Sequence, residues 1–276
     1  MMKIISITGG KGGIGKTTIS VNLAVSFAKM GKRVLLFDAD LGLANVDVLL
    51  GLKPKLTIND VIQGRCSLTD ACVNGPYGIK IIPSASGIQS LADLSPVDSI
   101  EVIKSFSSLT ERMDVMLIDM ASGISRQVID FTNASQSIVL SICNDPSSLM
   151  DSFAVIKILN QHYGRRKFGI IVNKVKNMKE GYQVYLRFQE TITRFMNASI
   201  EFLGHIPQDD FVNMAARENA SIVDRFGFAP AALAIQDISK GVLNWVEDVE
   251  PNGGIQYFFE KILSSRAAEK GELCEA

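Results

Sequence analysis

Histidine and cysteine are scarce in this 276-residue chain, which has two of the first (His162, His205) and four of the second (Cys66, Cys72, Cys143, Cys274). No two cysteines form a C-x-x-C pair, so neither a zinc site nor a disulfide framework is indicated. Cys143 falls in an apolar run, as a small core residue does. An excess of charge of either sign is also missing: Lys and Arg total 28 against 29 Asp and Glu, for a net charge of −1. That balance argues against holding nucleic acid by bulk charge, and Arg165, Arg166, Lys167, Lys174, Lys176 and Lys179 read as solvated loop faces. No apolar run approaches the roughly 20 residues of a membrane helix. Met1 leads straight into a strand-like run, which predicts no signal peptide and a cytoplasmic protein. Repeats and low-complexity tracts are absent. The one obvious hinge is Pro251-Asn252-Gly253-Gly254, which divides the chain into a body, 1–250, and a C-terminal segment, 251–276.

What is present is an apolar content of 47%, enough for one large domain with a well-buried core. Strand-like runs at 4–8, 34–37, 79–82, 115–118, 137–142, 168–172 and 202–206 alternate with helical patterns around 16–30, 96–110, 147–161, 182–196 and 229–246. This alternation predicts an α/β fold, a single doubly wound, mostly parallel sheet flanked by helices, with ligands at the carboxyl ends of its strands.

Between the first strand and the first helix lies Gly9-Gly10-Lys11-Gly12-Gly13-Ile14-Gly15-Lys16-Thr17-Thr18. Gly10, Gly15, Lys16 and Thr17 fit G-x-x-x-x-G-K-[ST], the P-loop, in the strand–loop–helix context that the motif needs. The glycines allow backbone N–H groups to curl around phosphate oxygens, and the helix N-terminus adds positive potential. In this reading Gly10, Gly12, Gly13, Ile14, Gly15, Lys16, Thr17 and Thr18 cradle a nucleoside triphosphate. Lys16 reaches its outer phosphates and the Thr17 hydroxyl holds Mg²⁺.

Two further strands end in acids. After the run 34–37 come Asp38 and Asp40, placed to hold Mg²⁺ or orient a water, although Asp and Asn here also suit the cap of a short helix. The run 115–118 ends at Asp119, the Walker B arrangement of an acid in the Mg²⁺ shell, and Gly123 completes an Asp-x-x-x-Gly segment able to sense the outer phosphate. At the end of 168–172 stand Asn173 and Lys174. A guanine site requires an acid at the fourth position of N-K-x-D, where this chain has Lys176, whereas Asn173 can bond an adenine edge. The nucleotide expected is therefore ATP. Residues 204–209, with Pro207 and Asp209, serve either as a wall against the base or as an ordinary strand-to-helix turn with an N-cap.

The second lysine of the loop, Lys11, has no evident task within one subunit. Its position resembles the deviant Walker A motif of the ParA/MinD-like ATPases. The resemblance implies that Lys11 crosses an ATP-bound homodimer to the partner's phosphates, that Asp40 positions the hydrolytic water, and that Asp38 is a metal-side carboxylate. It implies a catalytic set of Lys11, Lys16 and Asp40 and a metal set of Thr17, Asp38 and Asp119, with Asn173, Pro207 and Asp209 at the base. The family often has Thr or Ser where this chain has Met120, leaving Ser122 to supply a hydroxyl. Residues 40–51, 59–64 and 83–87 resemble the MinD-like branch, and 87–96 are most similar to the FlhG/FleN group of flagellar-number regulators. That resemblance implies partners among a flagellar transcription activator and basal-body or export proteins, with division-site selection or DNA partitioning as the alternatives. The family also uses a C-terminal amphipathic helix at the membrane. Here Ile255, Phe258, Phe259, Ile262 and Leu263 form one apolar helical face, which either meets lipid, weakly given the acidic residues that follow, or docks on the body. The first case implies a peripheral location at the inner face of the membrane or at the pole.

Overall fold

The computed structural model describes residues 2–40, 45–83, 104–107, 109, 112–245, 257–258 and 261–262. Eight strands form one sheet: β1 (Lys3–Thr8), β2 (Val34–Ala39), β3 (Val73–Asn74), β4 (Lys80–Ile82), β5 (Val115–Met120), β6 (Ser137–Ile142), β7 (Lys167–Val175) and β8 (Ser199–Pro207). Their order is β3-β4-β2-β5-β1-β6-β7-β8, parallel throughout except for the antiparallel edge pair β3–β4. The expected strands are all present. β3, two residues long, has no periodicity to announce it.

The longer helices are α1 (Lys16–Lys29), α5 (Arg126–Ala134), α6 (Pro146–Tyr163), α7 (Met178–Phe195), α8 (Asp210–Arg217) and α10 (Pro230–Asn244). Shorter ones are α2 (Val46–Leu49), α3 (Ile58–Ile62), α4 (Leu68–Ala71) and α9 (Ile222–Arg225). Of the helix expected at 96–110, residues 96–103 lie outside the described residues and 104–107 are helical. Helix α5 was not anticipated. It starts where Ser125 Oγ accepts the Val128 N–H, and it buries Val128, Ile129 and Phe131.

Side chains alternate across the pleat and so divide the core in two. Ile5, Ile7, Leu36, Leu117 and Val139 face α1 and α10. Ile4, Leu35, Phe37, Met116 and Ile118 face the other way, and Ile138, Leu140, Ile170 and Val172 extend that layer beneath α6 and α7. The boundary expected at 250 and the hinge at 251–254 lie outside the described residues, as do Ile255, Phe259 and Leu263. Phe258 and Ile262 are buried in the second layer, with the Phe258 ring edge-on to Phe131 at 5.8 Å between centroids. These two members of the apolar face dock on the body.

Candidate functional site at the carboxyl ends of the strands

Strand β1 ends at Thr8 and α1 begins at Lys16, so residues 9–15 turn the chain at the carboxyl edge of the sheet. Two positions show why the turn needs glycine. A β-carbon on Gly10 would lie 2.2 Å from Asp151 backbone in α6, and Gly15 has φ 91° with Asn173 Nδ2 2.6 Å from the place of its β-carbon. No side chain caps α1 and no acid occupies its first turn. The positive end of a 14-residue helix is thus left open to an anion. Lys16 is buried beside it, its Nζ donating to the Lys11 carbonyl at 3.3 Å. Burial lowers the Lys16 pKa, while the charges of Asp119 and Asp40 oppose that shift.

Strands β2 and β5 are neighbours, and their register sets Asp38 opposite Asp119. Both side chains are fully buried. Asp119 Oδ1 accepts the Ser20 hydroxyl at 2.8 Å, whereas Oδ2 has no hydrogen-bond partner. Asp38 accepts backbone N–H groups of Asp40 at 3.1 Å, Asn45 at 3.2 Å and Val46 at 3.3 Å. Burial, followed by the charge of Asp119, pushes Asp38 up to about 7 against those three donors. Burial pushes Asp119 to about 6, opposed by the Thr17 and Ser20 hydroxyls and by Lys16.

Two buried carboxyls, one with an orphaned oxygen and a threonine hydroxyl beside it, are costly alone and become favourable around a hard divalent cation. Among the described residues no group of three or more His, Cys, Asp and Glu forms an all-protein metal cage. Mg²⁺ does not need one, because it keeps waters and takes one or two carboxylates plus substrate phosphates. The residues therefore fit Mg²⁺ with a nucleotide. Met120 follows Asp119 on the strand and so points to the opposite face, buried with Phe37 and Phe131. Ser122 Oγ lies 3.6 Å from where a β-carbon of Gly12 would be, which places this hydroxyl against the loop.

Lys11 is engaged within its own chain. Its Nζ donates to Asp145 Oδ2 at 2.8 Å and Ser147 Oγ at 2.7 Å. The hydrogen bond to Asp145 raises the lysine pKa, and the same contact holds Asp145 down at about 2. Asp145 also caps α6, accepting the Ser148 N–H.

Beside the loop lies a cavity of ≈ 220 Å³ whose wall includes Gly15, Thr18, Asn173, Lys174, Pro207 and Asp209. The three residues expected at the base are therefore here, and two of them also bond to backbone groups of the fold. Asn173 Nδ2 donates to the Ile14 carbonyl at 2.7 Å and Oδ1 accepts the Lys174 N–H at 2.9 Å. Asp209 accepts Phe211 N–H and Ala231 N–H, each at 3.0 Å, as the N-cap of α8. Both shape the cavity as wall residues. Gln208, Val212 and Asn213 line it too and were not singled out from the sequence. Ser20 was also missed. Its one available signal was its place one helical turn after Thr17, on the loop side of α1.

Comparison with known proteins agrees with this geometry. Residues 5–222 match the family described as the CobQ/CobB/MinD/ParA nucleotide binding domain. The chain is 40% identical over 266 residues to the antiactivator FleN of Pseudomonas aeruginosa, covering 96% of this chain and 95% of that protein. It is 31% identical over 268 residues to the flagellum site-determining protein YlxH of Helicobacter pylori, covering 95% and 90%. The solved septum site-determining protein MinD of Pyrococcus horikoshii, complexed with Mg-ADP, matches with a TM-score of 0.69 at 25% identity, covering 88% of this chain and 96% of that one.

Proposed function

The chain belongs to the CobQ/CobB/MinD/ParA family of nucleotide-binding domains, and from that membership we propose that it is an ATP-driven dimerising switch that limits the number and sets the placement of flagella. Its enzymatic activity is ATP hydrolysis, with Mg²⁺ as cofactor. The observation that carries the site reading is the buried Asp119, whose unpartnered Oδ2 stands with Thr17 and Lys16 at the open end of α1. The flagellar role rests on the likeness to FleN and YlxH, which extends over nearly the whole chain.

In this reading the loop N–H groups and Lys16 bind the outer phosphates, and Thr17 and Asp119 hold Mg²⁺ with Asp38 behind them. Bound there, the metal neutralises charge on the phosphate oxygens. Asp40 orients a water whose oxygen bonds to the terminal phosphorus as the bridging P–O bond breaks, releasing ADP and phosphate. Lys11 leaves Asp145 and Ser147 in the dimer and places its ammonium on the partner's phosphates, as an arginine finger does. The monomer, with Lys11 held on its own α6, is accordingly slow. The partners are a flagellar transcription activator, in keeping with the name antiactivator carried by FleN, and basal-body or export components. Membrane contact through the C-terminal segment requires Phe258 and Ile262 to leave the core that now buries them.

Deletion of the gene in its native host, with flagella counted by electron microscopy, tests the role. Excess or misplaced flagella on normally dividing cells are expected. Normal flagella with minicells or filaments would move the role to division-site selection.

A further inference from the structure

Lys174 stands where β7 breaks its own rule. Ile170 and Val172 face the layer under α6 and α7, and Ile171 faces the opposite layer with Ile206. Strict alternation would return Val175 to the side of Ile171. Val175 instead joins Val172, so one residue between them is extra. The register with β8 slips between Asn173 and Val175, and Lys174 takes φ 57°. This is a bulge, and bulges beside active sites re-aim side chains. A lysine occupies a left-handed conformation that favours glycine.

The re-aimed side chain reaches the phosphate loop. Lys174 Nζ donates to the Gly13 carbonyl at 2.8 Å, next to the bond from Asn173 Nδ2 to the Ile14 carbonyl. Two consecutive residues of β7 thus hold two consecutive carbonyls of the loop. In a planar trans peptide the N–H points opposite to its carbonyl. Fixing the oxygens of Gly13 and Ile14 toward β7 therefore turns the N–H groups of Ile14 and Gly15 away from it. The held segment runs between Gly13 at φ 74° and Gly15 at φ 91°, the most deformable part of the loop. Both bracing residues also form the wall of the neighbouring cavity.

We propose that Lys174 is a positioning residue of the ATPase, which braces the phosphate loop from the wall of the base pocket so that its N–H groups are set before the phosphates arrive. The proposal rests on the assignment of residues 9–18 as the phosphate loop. It sets apart the ammonium, which does the bracing, from the αL backbone, which only aims it.

Three variants of the full chain separate these contributions. Lys174→Met keeps the stem and removes the donors, Lys174→Arg keeps a donor, and Lys174→Gly removes the brace while relieving the backbone. We expect Lys174→Met to raise KM for ATP and Kd for Mg-ADP about five- to tenfold, the scale of one hydrogen bond that is open to solvent, with kcat at saturation within about twofold. Lys174→Arg should recover most of that loss. Lys174→Gly should lose the same affinity with a thermal midpoint at or above wild type, because its backbone fits the turn. Wild-type ATP and ADP binding in the Met and Gly variants would overturn the proposal, and so would an affinity loss that merely follows a fall in midpoint. Failure of the unaltered protein to bind ATP would overturn the loop assignment itself, a result distinguishable from the other two.

Discussion

Replacing Ser20 with alanine tests the metal site without touching a residue that would contact ATP. The Ser20 hydroxyl lies 3.0 Å from the Lys16 carbonyl and 2.8 Å from Asp119 Oδ1. It has one proton to give, and the shorter contact to the acid takes it. Both residues are fully buried, so no water replaces the lost donor. A hydrogen bond to a charged group contributes about 1.5–3 kcal/mol. At about 1.4 kcal/mol per pKa unit, Asp119 should rise by roughly one to two units. Asp119 already sits near about 6, so the variant's carboxyl should keep its proton around neutrality.

The sign is fixed by the metal, which needs the ionised carboxylate. Mg²⁺ binding must then displace a proton, so affinity at neutral pH falls and the acidic limb of the ATPase profile moves to higher pH by about one unit. In alkaline buffer the variant should regain most of its activity. The metal-free fold should respond in the opposite direction. A carboxyl raised in the folded state makes that state bind more protons than the unfolded chain between its ordinary and its raised pKa. Stability is therefore lost as pH rises through that window, and Ser20→Ala extends the loss to higher pH. The assay is steady-state phosphate release across pH at several Mg²⁺ concentrations, with thermal melts of metal-free protein beside it. An acidic limb and Mg²⁺ half-saturation identical to wild type would refute the reasoning.

Asp40→Ala should bind ATP and accumulate as the ATP-bound dimer in size-exclusion chromatography; single-turnover hydrolysis at the wild-type rate would remove Asp40 from the water-positioning role. Lys11→Ala should lower turnover by about 10³-fold or more while ATP affinity of the monomer stays put, and normal turnover at every protein concentration would end the trans-lysine reading. Phe258→Ala empties a fully buried site against Phe131 and should cost about 3–5 kcal/mol in denaturant unfolding. An unchanged unfolding midpoint would mean that the C-terminal segment contributes no stability by docking.

Local chemistry was legible in the sequence; what depends on distant neighbours was not. The loop at 9–18 and the acids Asp38 and Asp119 announce themselves because each lies at the end of an apolar run, and β6 occupies the expected residues 137–142 without change. Helix α5 was hidden by Thr132, Asn133 and its β-branched Val128 and Ile129, which are weak helix formers held by tertiary burial. Helix α8 does turn Phe211, Val212 and Ala215 toward the core, but its 8 residues give barely two turns over which to read a period. Lys174 to Gly13, Ser20 to Asp119 and Lys11 to Asp145 join positions 161, 99 and 134 residues apart. No spacing rule encodes such pairs; they follow from which strands become neighbours. Asn173 and Asp209 stand on the cavity wall, and their bonds to backbone groups of the loop, α8 and α10 are likewise invisible to residue type.

The central claim is that ATP brings two copies together and that hydrolysis needs both. ATP turnover per subunit, measured as protein concentration is raised at saturating Mg-ATP, tests it most directly. Specific activity should climb with concentration and then level off, with the climb coinciding with ATP-dependent dimer formation by analytical ultracentrifugation. A specific activity that stays flat while the protein remains monomeric would contradict it.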